Sequence, residues 1–190
     1  MSNKFTYQTL RDTQTDVIIK LTGVFDGTGQ EANNSRIAAN SLFGALDANS
    51  VPLRSNLSVS NTALSYYDIQ LTGLKYYVNL PTSNSSGGSI GSVEVFWNGG
   101  GATPAAQYAN SATIFHLSSS SDYGNGEQLP SIFNNAINSP LGDIGVYTQG
   151  AQANCSYTII VSLRKNNTMY QRGQFNDPAA FNYTPYNLKP

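Results

Sequence analysis

The strongest pattern in this chain is alternation, with apolar residues at every second position through a series of short stretches. In Val17-Ile18-Ile19-Lys20-Leu21-Thr22-Gly23-Val24-Phe25, the residues Val17, Ile19, Leu21 and Phe25 fall on one face. Successive side chains of an extended strand point to opposite sides, so such a stretch buries one face and wets the other. Asp26-Gly27-Thr28-Gly29 follows with residues that tolerate positive φ and predicts a hairpin turn. Further on, Tyr67, Ile69 and Leu71 share a face, and Leu74, Tyr76, Val78 and Leu80 share another. Thr72-Gly73 lies between the two sets, which reads as a hairpin with a tight turn there.

Four more strands are expected. Ser92 to Trp97 ends at Gly99-Gly100-Gly101, and Ala112 to Leu117 ends at four serines, Ser118 to Ser121. Asp143 to Thr148 and Cys155 to Leu163 complete the series. The segments are rich in β-branched and aromatic residues, and Gly, Asn, Ser and Pro punctuate them. Many short strands of this kind predict an all-β fold, an antiparallel β-sandwich of jelly-roll-like form. Helix is minor. Pro130 to Ile137 is the expected short helix, with proline in its first turn and Ile132, Phe133, Ala136 and Ile137 as an apolar stripe. Ser35 to Leu46 is a weaker helical candidate by propensity.

Composition bears on what such a sandwich does. Charged residues are 11% of the chain and apolar residues 39%, and the difference is filled largely by Ser, Thr, Asn and Gln. Proton transfer, metal binding and nucleophilic chemistry draw on His, Cys, Asp, Glu and Lys, which are scarce here. The formal net charge is −1, so the whole chain offers neither a basic field for nucleic acid nor a polybasic stripe for an anionic membrane. The amino terminus lacks the apolar core of a signal peptide, and Val17-Ile18-Ile19 and Ile159-Ile160-Val161 are far too short to span a bilayer.

Individual residues point the same way. Cys155 is the only cysteine, which excludes an intramolecular disulfide and suits a buried thiol. His116 is the only histidine and reads as an ordinary strand residue. Asp26-Gly27-Thr28-Gly29-Gln30-Glu31 lacks the alternating oxygen ligands of a calcium loop. The Gly99-Gly100-Gly101 run has neither the lysine nor the following helix of a phosphate cradle. These readings give no catalytic residue, no metal site and no cofactor. Trp97, Tyr66, Tyr67, Tyr76 and Tyr77 supply an alternative, a stacking platform for sugars.

The ends differ from the body. Pro81 to Gly91 reads as an exposed Ser/Gly/Asn loop. After about Asn166 the alternation stops, yet Tyr170, Phe175, Phe181, Tyr183 and Tyr186 follow. Such rings want a surface to bury against, which makes them the candidate partner-binding residues. The organisation is then an N-terminal arm over 1–15, a sandwich domain over 16–166 and an extended C-terminal arm over 167–190.

Several stretches, taken in order, carry a family likeness. They are Phe5-Thr6-Tyr7-Gln8-Thr9-Leu10-Arg11-Asp12-Thr13, then Val17 to Gly23, Phe25 to Glu31, Tyr67-Asp68-Ile69-Gln70, Gly142-Asp143-Ile144 and Ser156 to Lys165. In that order the chain resembles the small β-rich virion structural proteins of tailed phages, particularly those of marine bacteria and cyanobacteria. The Pro81 to Gly91 loop and the aromatic tail are additions to the shorter pattern. The resemblance implies a sandwich without enzyme activity, made in the host cytoplasm and present in many copies on the particle. On this reading the chain is a capsid cement or decoration protein, a homo-oligomer contacting the major capsid protein or other virion proteins, with no nucleic-acid or membrane partner. A collar, neck or tail position in the same virion is the alternative, and a carbohydrate-binding sandwich for host attachment is another.

Overall fold

A computed structural model describes residues 3–32, 37–45, 69–80, 91–99, 103, 106, 109–118, 125–128, 132–133 and 142–165. Among these residues nine strands run β1 (Lys4–Asp12), β2 (Asp16–Val24), β3 (Ile69–Asn79), β4 (Ser92–Trp97), β5 (Ala112–Ser118), β6 (Asn125–Gln128), β7 (Ile132–Phe133), β8 (Ile144–Gln149) and β9 (Ser156–Lys165). They form two sheets, and every pairing between strands is antiparallel. The larger has the order β1-β2-β9-β3, with β6 and β7 both on the far edge of β3; the smaller is β5-β4-β8. One core lies between them, filled by Val17, Ile19, Leu21, Leu74, Tyr157, Ile159 and Val161 from the first sheet. Val93, Val95, Trp97, Ile144 and Val146 meet them from the second. The fold is an all-β sandwich.

The predicted inward face of β2 is buried at Val17, Ile19, Leu21 and Phe25. The alternation has a gap at Gly23, and the register explains it. Gly23 stands opposite Tyr157 on β9, whose ring covers the glycine so closely that a Cβ would overlap it. One strand supplies the ring and the other gives up its side chain.

Three expectations are corrected. The first is the Thr72-Gly73 hairpin: Ile69 to Asn79 is one continuous strand paired with β9 along its length. Leu71 faces Leu163 and Gly73 faces Ser162, so Thr72 is an extra residue in a β-bulge, its hydroxyl donating to Ser162 O at 3.2 Å. A bulge moves the side-chain alternation by one position. That is why Ile69 and Leu71 are buried before it and Leu74, Tyr76 and Val78 after it.

The second concerns helix. Ile132 and Phe133 are extended and pair with Leu71 and Gln70 of β3, whose backbone needs partners on that edge. The rest of Pro130 to Ile137 lies outside the described residues. In the Ser35 to Leu46 segment the described part holds only a short 3-10 turn, Ala39–Ser41, while Ile37 bridges to Ile144. A helical turn forms elsewhere, where Asn110 N–H donates to Ala106 O at 3.2 Å and Thr103 Oγ1 accepts from Ala106 N–H at 3.2 Å.

The third is the turn after β2. Gly27 does adopt φ +91°, and Asp26 Oδ1 accepts from Thr28 N–H at 2.9 Å. The chain does not return as a hairpin. It crosses to the smaller sheet, where Ala32 bridges to Tyr147 on β8.

Candidate assembly surfaces

β1 is clipped at both ends and open between them. At its start Asn3 Oδ1 accepts from Asp26 N–H at 2.9 Å and Asn3 Nδ2 donates to Gly29 O at 3.0 Å. At its far end Asp12 shares an inward register position with Val17, which brings its carboxylate to the end of β9. There Lys165 Nζ donates to Asp12 Oδ1, Thr13 O and Phe43 O, each at 2.7 Å. Asp12 Oδ2 accepts from Phe43 N–H at 2.7 Å, and the Lys165 ammonium lies 5.9 Å from the centre of the Phe43 ring. One cation therefore ties together the β1–β2 connection, the end of β9 and the segment at Phe43. Burial lowers the pKa of Lys165 and the Asp12 carboxylate works against that shift.

Between the clips, β1 pairs only with β2 among the described residues. Most of its side chains on both faces are exposed, while Phe5 packs on the body, edge-on to Phe25 at 5.6 Å. Tyr7 is 44% exposed and Leu10, at a break in register, 48%. Partial burial raises the Tyr7 pKa, with Thr9 pulling the other way and the Asp12 charge adding to the rise. Phe43 at the clasp is 58% exposed. An unpaired strand edge beside exposed rings can accept another chain by strand addition or by face packing. Residues 3–15, expected as an arm, thus form the β1 edge strand and its turn.

Other ionisable groups are tied up inside the fold. Glu31 is fully buried and accepts from the Tyr157 hydroxyl, while its backbone exchanges hydrogen bonds with Thr148 at 2.8 and 3.0 Å. Buried Asp143 accepts from Ala39 N–H at 2.8 Å. His116 lies on β5 across from Glu94 on β4, with Nε2 3.6 Å from Oε1, and its side chain is 56% exposed. Among the described residues no cluster of three or more His, Cys, Asp or Glu is grouped to hold a metal ion. Cys155 is buried.

The sugar platform is corrected at two of its rings. Trp97 is fully buried and Tyr76 is 4% exposed, so both belong to the core; Tyr77 is 62% exposed, and Tyr66 and Tyr67 lie outside the described residues. Tyr170, Phe175, Phe181, Tyr183 and Tyr186 also lie outside them, as does most of the Pro81 to Gly91 loop. Sequence reasoning missed Asn3, Asp12, Glu31 and Lys165. A signal existed for the lysine, which continues the inward series Tyr157, Ile159, Val161, Leu163 and so sits where a strand buries its side chains.

No family model matches this chain, and no curated protein does. Among solved structures it is similar to a chain of "Insight into Three-dimensional structure of Maize Chlorotic Mottle Virus Revealed by Single Particle Analysis". The two are 12% identical, the match covers 91% of this chain and 98% of that one, and the TM-score is 0.24. At that score the likeness carries no argument about fold or function.

Proposed function

We propose that this chain is a structural protein of a virus particle, and specifically a cement or decoration protein on the capsid of a tailed phage. The observation that carries the reading is β1, a nine-residue edge strand fixed at both ends whose side chains mostly remain exposed on both faces. A protein that worked alone would be expected to cover or blunt such an edge. Here the clips hold it extended, which lowers the ordering cost when a neighbour docks. Ionisable groups spent on internal contacts, as at Asp12 with Lys165 and Glu31 with Tyr157, fit a scaffold role. Copies of this chain and the major capsid protein are the partners on this reading, with the aromatic tail as a second strap.

The test is incorporation into particles. Tyr7→Asp/Leu10→Lys, which charges the exposed β1 side chains and leaves both clips intact, should remain folded and fail to attach. Removal of residues 167–190 should weaken attachment independently. Normal incorporation of both variants would sink the proposal. In an electron-microscopy map, copies spread over the shell support the cement role, and a single ring at one vertex would move the protein to the collar, neck or tail.

A further inference from the structure

The fold sorts charge in a way the net value conceals. Register places Lys4 and Arg11 of β1, Lys20 of β2, Lys75 of β3 and Arg164 of β9 on the outward face of the larger sheet. The remaining Lys or Arg among the described residues is Lys165, which is buried in the clasp. Among the described acidic residues only Asp16, opposite Arg164, shares that face by register, together with the position of Glu127 opposite Lys75. Among the described residues five basic ones thus stand against two acidic ones on one face of a chain whose total is −1.

That face also has an apolar centre. Ile160 on β9 sits between Lys20 and Lys75, and Ile18 is its diagonal neighbour on β2. Both are half-buried, while Val24 is 46% and Tyr77 62% exposed on the same side. Thr6, Thr22, Thr158 and Tyr77 form a hydroxyl row across four neighbouring strands. A modest apolar centre, neutral hydrogen-bonding groups and a charged rim make up the anatomy of a protein–protein contact. Nucleic acid fits less well. Two of the five basic positions stand opposite an acidic one, which leaves few charges for the many phosphate contacts that nucleic-acid binding draws on.

We propose that the outward face of the larger sheet is a docking surface for an acidic polypeptide other than a copy of this chain. The described surface of the chain offers itself no complement. Asp12 is held by Lys165, Glu31 and Asp143 are buried, and Asp16 and the position of Glu127 belong to the basic face. Asp26 is bound to Thr28, and Glu94 lies beside His116 on the other sheet. Opposite rims favour correct encounter and suppress wrong partners more than they add raw affinity. The surface is centred on β2, β9 and β3, takes in Lys4, Thr6 and Arg11 of β1, and does not depend on the protein being part of a virion.

The experiment uses the full chain and a labelled Asp/Glu-rich peptide, with oligo-dT of equal length as competitor probe, followed by fluorescence anisotropy in rising NaCl. The peptide should bind at low salt and release as salt rises. Lys20→Glu/Lys75→Glu should weaken it by about tenfold or more at low salt. A zero-length carbodiimide, which joins a lysine amine to a touching carboxylate, should link the peptide to Lys4, Lys20 or Lys75 of the unmodified protein. That arm needs no variant to fold. Absence of peptide binding, equal binding by the double variant, cross-links confined to lysines off this face, or tighter binding to oligo-dT would each overturn the proposal. So would self-association of the wild type that the double variant loses, since the occupant would then be a second copy.

Discussion

Replacing Lys165 by methionine tests the clasp that holds β1. The side chain is fully buried and its ammonium makes three contacts of 2.7 Å, to one carboxylate oxygen and two carbonyls. Methionine keeps most of the stem's packing and removes all three donations. Each buried acceptor left without a donor costs about 1–3 kcal/mol. Recovery of the ammonium's desolvation cost offsets part of this. Asp12 is 17% exposed, so water relieves some of the stranded negative charge. The expected net loss is about 3 kcal/mol, or roughly 10 °C in Tm for a domain of this size. Adding Asp12→Asn should restore about half of it, because the unpaired carboxylate is then gone while an oxygen remains for Phe43 N–H. Urea unfolding followed by the emission of buried Trp97 measures both variants. A loss below about 1 kcal/mol, or strictly additive single variants, would refute the clasp. The pH dependence gives a second readout. The folded lysine loses its proton more readily than the unfolded one, so between the two pKa values the unfolded state binds more protons and stability rises with pH. Lys165→Met should lose that rise.

Three further outcomes are expected. Gly23→Ala places a methyl group inside the Tyr157 ring and should cost about 2–3 kcal/mol by thermal unfolding, less when Tyr157→Leu makes room. Trp97→Ala should cost about 3–5 kcal/mol, while Trp97→Phe should cost much less, since the indole N–H it removes has no hydrogen-bond partner among the described residues. The Asp26 pKa is lowered by hydrogen bonds from the Thr28 side chain and backbone, so this contribution is present above the ordinary aspartate range and disappears as pH falls through the lowered value. Nuclear magnetic resonance titration of the Thr28 amide should show that midpoint, and Asp26→Ala should abolish it.

Where the sequence was misread, two structures shared one local signature. A two-residue turn and a β-bulge both appear as a Thr-Gly step across which the alternation changes phase. At Thr72-Gly73 the choice fell to β9, which pairs with Ile69 before the step and with Asn79 after it. The stripe at Ile132 and Phe133 suited a helix or a strand, and the open edge of β3 selected strand. The clasp was hidden because Asp12 and Lys165 lie 153 positions apart, and only the β1-β2-β9 neighbourhood brings them together.

The sequence by itself determined that this is a β-sandwich and which face of β2 is buried, because a period of two is a local geometric property of extended chain. Tertiary structure decided which strands are neighbours, and with that the partner of the buried lysine, the ring that fills the space above Gly23 and the gathering of basic residues on one side. These depend on register between distant segments. The hydrogen bonds and apolar contacts that set register act through space, and no window of neighbouring residues contains them.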